Sequence, residues 1–144
     1  MTPNPDDNAI RTLLTDAAVI AVVGASSNPG RPSNGVFSRL KRHGYRVVPV
    51  NPNESVVHGE PSFATLIDVK NAGIAVDVVD VFRRSEFVVP FALEAIGIGA
   101  KVLWLQEGVI NEEAARVARD AGLVVVQDLC TAVMVPLLRV PPKA

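Results

Sequence analysis

Residues 22–33 read VVGASSNPGRPS: an apolar run that stops at Gly24, then small and polar residues with two prolines, then the start of a helical pattern. A strand that passes through a glycine-led turn into a helix is the opening unit of a doubly wound α/β sheet. The rest of the chain repeats that alternation. Apolar runs AVIAVVG (18–24), YRVVPVN (45–51), VDVVDVF (76–82), KVLWLQ (101–106) and GLVVVQD (122–128) recur at roughly 25-residue spacing, and their Val/Ile/Leu content suits strands covered on both faces.

Helical patterns lie between the runs. In SNGVFSRLKRHG (33–44), Ser33 is a candidate N-cap, Val36, Phe37 and Leu40 share one face, and Gly44 stands at the expected left-handed stop. In NEEAARVARDAG (111–122), Asn111 is the cap, Glu112 and Glu113 occupy the positive end of the helix dipole, and Gly122 ends it. The stretch 85–101 is also helical in pattern, but Pro90 predicts a kink or a delayed start. Residues 52–75 predict a short strand plus a short helix or loop, with a helical turn around Ala64–Asp68. The fold expected is α/β: a Rossmann-like, doubly wound, mainly parallel sheet of five or six strands flanked by helices. It forms one domain over residues 1–144, with 1–14 and 140–144 peripheral.

The bulk numbers narrow the function classes. A length of 144 residues suits one core, and 49% hydrophobic with 20% charged residues suits a soluble globular chain. A formal net charge of −1 supplies no overall field for nucleic acid or an anionic membrane, so neither is expected as a partner. Cys130 is the single cysteine, which excludes an internal disulfide framework and suits a reducing, cytoplasmic setting. The opening MTPNPDDNAIRTLL is acidic and proline-bearing, unlike a secretory signal, and no apolar run reaches the roughly 20 residues of a membrane span.

In sheets of this kind ligands sit beyond the carboxyl ends of the strands, which directs attention to the residues just after each run. After the first, Gly24, Ala25, Ser26 and Ser27 are small and offer amides and hydroxyls to a phosphate, and Arg31, next to Pro32, adds a cation. The three-glycine dinucleotide fingerprint is absent, and a plain corner stiffened by Pro29 and Pro32 remains an alternative. After the second run, Asn51, Pro52 and Asn53 stand where an NAD-binding chain usually places an acid, so the position suits a phosphorylated ribose better than plain NAD. After the third, Phe82 offers a face to a base, while Arg83 and Arg84 are forked phosphate donors or ordinary surface cations. After the fourth, Trp104 reads as core, and Gln106 and Glu107 as polar contacts for the extended part of a ligand.

Together the stretches VVGASSNPGRPS, GYRVVPVNPN, VDVVDVFRR, GAKVLWLQEGV and NEEAARVARDAGL, followed by Asp128 and Cys130, resemble the small stand-alone CoA-binding proteins. These are relatives of the CoA-binding Rossmann domain in the α subunit of succinyl-CoA synthetase, and the resemblance covers about residues 15–130. It implies CoA or an acyl-CoA as the bound cofactor, with the Gly24–Ser27 turn and Arg31 at the phosphates and Asn51–Asn53 at the adenosine. It further implies Phe82–Arg84 at the nucleotide and Gln106–Glu107 beside the pantetheine arm. One departure stands out. After Cys130 the family commonly carries a lysine and a glutamate–histidine pair, whereas this chain reads LCTAVMVPLLRV. Leu129, Ala132, Met134 and Val135 instead predict an apolar helix buried on the core or in a dimer.

No catalytic constellation is complete. His43 and His58 read as surface or capping residues, and Ser26 and Ser27 lack a partner histidine at any recognisable spacing. Cys130 reads as an inert buried thiol, with a mixed disulfide to a bound CoA as the alternative. The expected function is therefore binding of a small-molecule nucleotide ligand without chemistry of its own, as carrier, sensor, homodimer or partner subunit of an enzyme. The alternative is an NAD(P)-dependent oxidoreductase or NAD(P)-binding module.

Overall fold

Parallel strands need crossovers, and the helical segments between the valine-rich runs supply them. In the computed structural model, which describes residues 1–143, the chain runs α1 (Asp7–Asp16), β1 (Val19–Val23), α2 (Pro32–Arg42), β2 (Arg46–Val50), β3 (Val56–Val57), β4 (Glu60–Pro61) and α3 (Leu66–Asn71). It continues through β5 (Val78–Val81), a 3-10 turn (Ser85–Phe87), α4 (Val89–Gly97), β6 (Val102–Leu105), α5 (Glu112–Asp120), β7 (Val124–Val126) and α6 (Thr131–Leu137). Five strands pair in the order β2-β1-β5-β6-β7, every pair parallel. The chain starts inside the sheet, moves outward to β2, then crosses back over β1 to β5 and continues the other way. The winding therefore reverses between β1 and β5. This is the Rossmann-like architecture expected, with five strands.

Period-two alternation sorts the side chains into two layers. Ile20, Val22, Val78, Trp104 and Val126 face Ile10 and Leu14 of α1, Phe37 and Leu40 of α2, and Met134 and Val135 of α6. Ala21, Val23, Val79, Val81, Leu103 and Leu105 face α3, α4 and α5. On that side Ala92, Ala95, Ala114, Ala115 and Ala118 are fully buried, and their small side chains let α4 and α5 lie close to the sheet.

Several local expectations are met. Asn111 caps α5 by accepting from the Ala114 amide at 2.9 Å. Pro90 delays the helix of 85–101, which starts with the 3-10 turn and settles into α4 with Pro90 in its first turn. Residues 52–75 hold the β3–β4 hairpin and α3, the latter capped by Thr65. The hairpin turns on His58 and Gly59, both at positive φ (48° and 79°). His58 is held there by stacking on Phe37, with centroids 5.6 Å apart, and by Nε2 at 2.9 Å from the Asn34 carbonyl. The segment after Cys130 forms α6 with Thr131, Ala132, Met134 and Val135 buried against the core.

Three expectations need correction. Ser33 is not the cap of α2: Pro32 occupies the first turn and Arg31 the cap position, with no side-chain capping bond. Residues 1–14 are not peripheral, because α1 buries Ile10 and Leu14 completely. The aspartates of the stretch hid this: they lie on its exposed side, and Asp6 caps the helix by accepting from Ala9. Residues 140–143 are also held, since Val140 is buried, the Lys143 amide donates to the His43 carbonyl at 2.8 Å, and the Lys143 ammonium bonds the Thr15 carbonyl. Residue 144 lies outside the described residues.

At the reversal the chain is tightest. Gly24 has φ +83°, and a Cβ there would lie 2.4 Å from the Phe82 carbonyl oxygen. We expect Gly24→Ala to lower stability by at least the ~1–3 kcal/mol of a strained left-handed residue, because the backbone after β5 must also shift. Chemical denaturation compares it with Gly99→Ala, which has φ +74° but open space around it; equal losses would show that the close approach at Gly24 is without weight.

Candidate functional site

The two loops that diverge at the reversal open a cleft of about 960 Å3 at the carboxyl ends of the strands. One wall comes from the loop after β1 and the first turn of α2: Gly24, Ser26, Arg31, Pro32, Ser33 and Val36. The other comes from the segment after β5, with Phe82, Arg83, Arg84 and Phe87; the floor and far end come from Gln106, Glu107, Gly108, Val109 and Cys130. Asn51 enters from β2. Gly24, Ser26, Arg31, Pro32, Asn51, Phe82, Arg83, Arg84, Gln106 and Glu107, all singled out in the sequence, thus share one cleft.

Ala25, Ser27, Pro52 and Asn53 do not line it. Ala25 is fully buried in the core. Ser27 is engaged elsewhere: Glu54 accepts from its amide and from its hydroxyl, both at 2.8 Å. These two donors hold the Glu54 carboxyl below the usual carboxylate range. Pro52 and Asn53 are exposed beyond the rim, with Asn53 folding its amide onto the Asn51 side chain at 2.9 Å. Asn51 in turn donates to the Ala25 carbonyl at 2.9 Å, so its side chain ties the loop after β2 to the loop after β1.

The electrostatics of the cleft are mixed by position. Among the described residues no salt bridge or hydrogen bond holds the guanidinium groups of Arg31, Arg83 and Arg84. Arg83 is instead steadied by the rings of Phe87 and Phe91, at 6.0 and 5.7 Å. The first turn of α2 has no side-chain cap; Pro32 lacks an N–H and the Asn34 amide turns back to the Arg31 carbonyl at 3.0 Å, which leaves the Ser33 amide and the positive dipole end facing the cleft side. Glu107, just past β6, is the acid among the lining residues.

Beneath the floor lies a group the sequence reading passed over. Asp80 on β5 is completely buried, and its carboxylate accepts from Gln106 Nε2 at 2.5 Å and from Thr131 Oγ1 at 2.9 Å. Burial is the dominant influence and pushes its pKa up to about 7, against the lowering effect of those two hydrogen bonds. The signal was present in VDVVDVF, where Asp77 precedes β5 and Asp80 interrupts a strand otherwise apolar on both faces. Ser33, Val36, Phe87, Gly108 and Val109 also line the cleft and were passed over: Gly108 and Val109 follow Gln106 and Glu107 in the loop after β6, while Ser33, Val36 and Phe87 carry no local mark and reach the cleft through the placement of α2 and of the turn before α4.

Residues 18–136 match the family described as CoA binding domain. The chain belongs to that CoA-binding domain family. An uncharacterized protein YneT of Bacillus subtilis is 36% identical over 127 residues, covering 88% of this chain and 92% of its own. A hypothetical protein of Pyrococcus horikoshii has a solved structure 35% identical in sequence, with TM-score 0.90 over 96% of this chain and 98% of that one. An acetyl-coenzyme A synthetase of Ca. Korarchaeum cryptofilum, solved with phosphate and ADP, matches at TM-score 0.69 and 26% identity over 78% of this chain and 26% of that chain. This CoA-binding domain thus spans about a quarter of that synthetase. No helix among the described residues is long and apolar enough to cross a membrane.

The buried carboxyl makes this CoA-binding domain's stability depend on pH. Its pKa is higher folded than unfolded, so its favourable contribution is complete below about pH 4 and is lost as pH rises through about 7. Asp80→Asn escapes that loss. The stability of the variant relative to the natural protein is expected to improve by on the order of 3 kcal/mol between pH 5 and 8.5; a difference constant over that range, measured by denaturant unfolding, would contradict a buried titrating carboxyl.

Proposed function

We propose that this chain binds CoA or an acyl-CoA in the cleft at the β1/β5 reversal and performs no chemistry of its own. The observation that carries the reading is the convergence of Gly24, Arg31, Arg83 and the uncapped start of α2 on one cleft in a CoA-binding domain family member. A diphosphate seated there would meet backbone donors and guanidinium groups, the pairing that favours anions at helix N-termini. Gln106 and Glu107 follow β6 and Cys130 precedes α6, and there a neutral pantetheine arm would tolerate the Glu107 charge and a phosphate would not. The adenosine would lie toward Asn51 and Phe82.

The geometry disfavours the nicotinamide alternative. Holding an unphosphorylated ribose by its diol needs a free carboxylate after β2, and the acid present, Glu54, has both oxygens occupied by Ser27. Since the matching part of the Korarchaeum synthetase is about a quarter of a longer chain, the role we assign is a separate CoA module: a carrier, a sensor, or a subunit that presents CoA to a partner enzyme or to a second copy of itself in the cytoplasm. Isothermal titration with CoA, acetyl-CoA, NAD and NADP tests the ligand. Saturable binding of CoA compounds alone is expected, with Arg31→Ala and Arg83→Ala each weakening it roughly tenfold, the value of one charged hydrogen bond. Binding of nicotinamide cofactors alone would overturn the reading.

A further inference from the structure

Gln106 is the polar residue on the cleft floor, and the direction of its amide is determined by what lies below. Thr131 Oγ1 donates its single proton to Asp80 Oδ2, so toward Gln106 it can only accept, at 3.0 Å from Nε2. The second amide proton of Gln106 goes to Asp80 Oδ1. Both protons are therefore committed inward. Among the described residues none donates a hydrogen bond to Gln106 Oε1, and the residue lines the cleft, so an acceptor oxygen is what it has left to offer a ligand.

That arrangement holds only while Asp80 is a pure acceptor. A protonated Asp80 carries an O–H that needs a partner in a site closed to water, since Asp80 and Thr131 are wholly buried. The neighbouring strands present Val22 and Trp104 at its register, which offer none, and Thr131 Oγ1 could accept only by withdrawing its own proton from Asp80, its one recorded acceptor. A half-turn of the Gln106 amide supplies one: Oε1 turns inward to accept, and the NH2 group turns toward the cleft. We infer that Asp80 is a positioning residue whose protonation selects whether Gln106 shows an acceptor or a donor to the ligand, making the affinity of the cleft pH-dependent.

The other charged groups around it leave this control to Asp80. Asp7, Arg11 and Asp16 of α1 and Arg39, Lys41 and Arg42 of α2 are all exposed, α6 has no charged residue, and none of these hydrogen-bonds to Asp80. Arg83 and Glu107 at the ends of β5 and β6 are likewise exposed, and Cys130 before α6 lines the cleft without bonding the carboxyl. Burial raises the Asp80 pKa toward neutrality, and the hydrogen bonds from Gln106 and Thr131 oppose that rise.

The inference rests on the CoA reading for the ligand's identity: the pantetheine arm carries two amide N–H groups and a hydroxyl, donors that suit the outward oxygen. Binding should therefore be tighter at high pH. Two measurements separate the claims. In the ligand-free protein, NMR should show the Gln106 side-chain NH2 signals shifting with the same midpoint as the Asp80 carboxyl carbon between pH 5.5 and 8.5. Calorimetry should show the affinity for CoA falling roughly 3- to 10-fold from pH 8.5 to 5.5, about one hydrogen bond's worth. The same fall is expected for 3′-dephospho-CoA, which lacks the phosphate monoester that itself titrates near pH 6, and no fall is expected in Asp80→Asn.

An Asp80 that stays ionised, Gln106 signals that ignore its titration, or an affinity flat with pH in the natural protein would each overturn the inference. Coupled NMR titration without binding of CoA at either pH would uphold the Asp80–Gln106 switch and overturn the ligand assignment instead.

Discussion

The backbone leaving β1 runs so near the Phe82 carbonyl that position 24 has no room for a side chain. This close approach joins the two loops that part company at the reversal of the sheet. The Gly24 amide still donates to Val50 and the Phe82 amide to Val23, so parallel pairing continues to the edge of the cleft before the chains separate. Because β1 sends its helix to one layer and β5 to the other, a cleft must open between their ends. The lining residues inherit their positions from that divergence: Arg31 from the start of α2, Arg83 from the turn before α4. Asn51 and Glu54 then fasten the loop after β2 onto the loop after β1, which sets the rim.

The same geometry explains the one carboxyl inside the sheet. Alternation along β5 puts Asp80 on the layer shared by α1, α2 and α6, between Val22 and Trp104. Removing a carboxylate from water is costly unless donors meet it, and here the donors arrive from outside its own strand, Gln106 past the end of β6 and Thr131 from the start of α6. Such a group contributes little to holding a core together that a buried valine would not. Its location directly under the cleft is what gives it significance, and it ties the start of α6, with Cys130 beside it, to the same floor.

The strands and their parallel pairing were legible because valine-rich runs separated by capped helices leave few other folds. The rim residues followed from one rule, that ligands meet such sheets at the carboxyl ends of the strands, and it placed Gly24, Arg31, Arg83 and Gln106 in a common cleft. What stayed hidden depends on contacts distant in sequence. Ser27 reads as a free phosphate donor until Glu54, from the next loop, is seen to occupy both its polar groups. Asn51 reads as a ligand contact, yet its amide is occupied by Ala25. The N-terminal segment looked loose because its prolines and paired aspartates dominate its start, although Ile10 and Leu14, one turn apart, are enough to seat α1 on the sheet. The family resemblance reached the ligand class sooner than these contacts could.

The most direct test of the account is a crystal structure of the chain grown with CoA. The account predicts the diphosphate within hydrogen-bond distance of the amides between Gly24 and Ser33 and of the Arg31 or Arg83 guanidinium, with the arm running over Gln106 toward Cys130. Density for CoA at the amino ends of the strands, or on an outer helix face with the cleft filled by water alone, would contradict it.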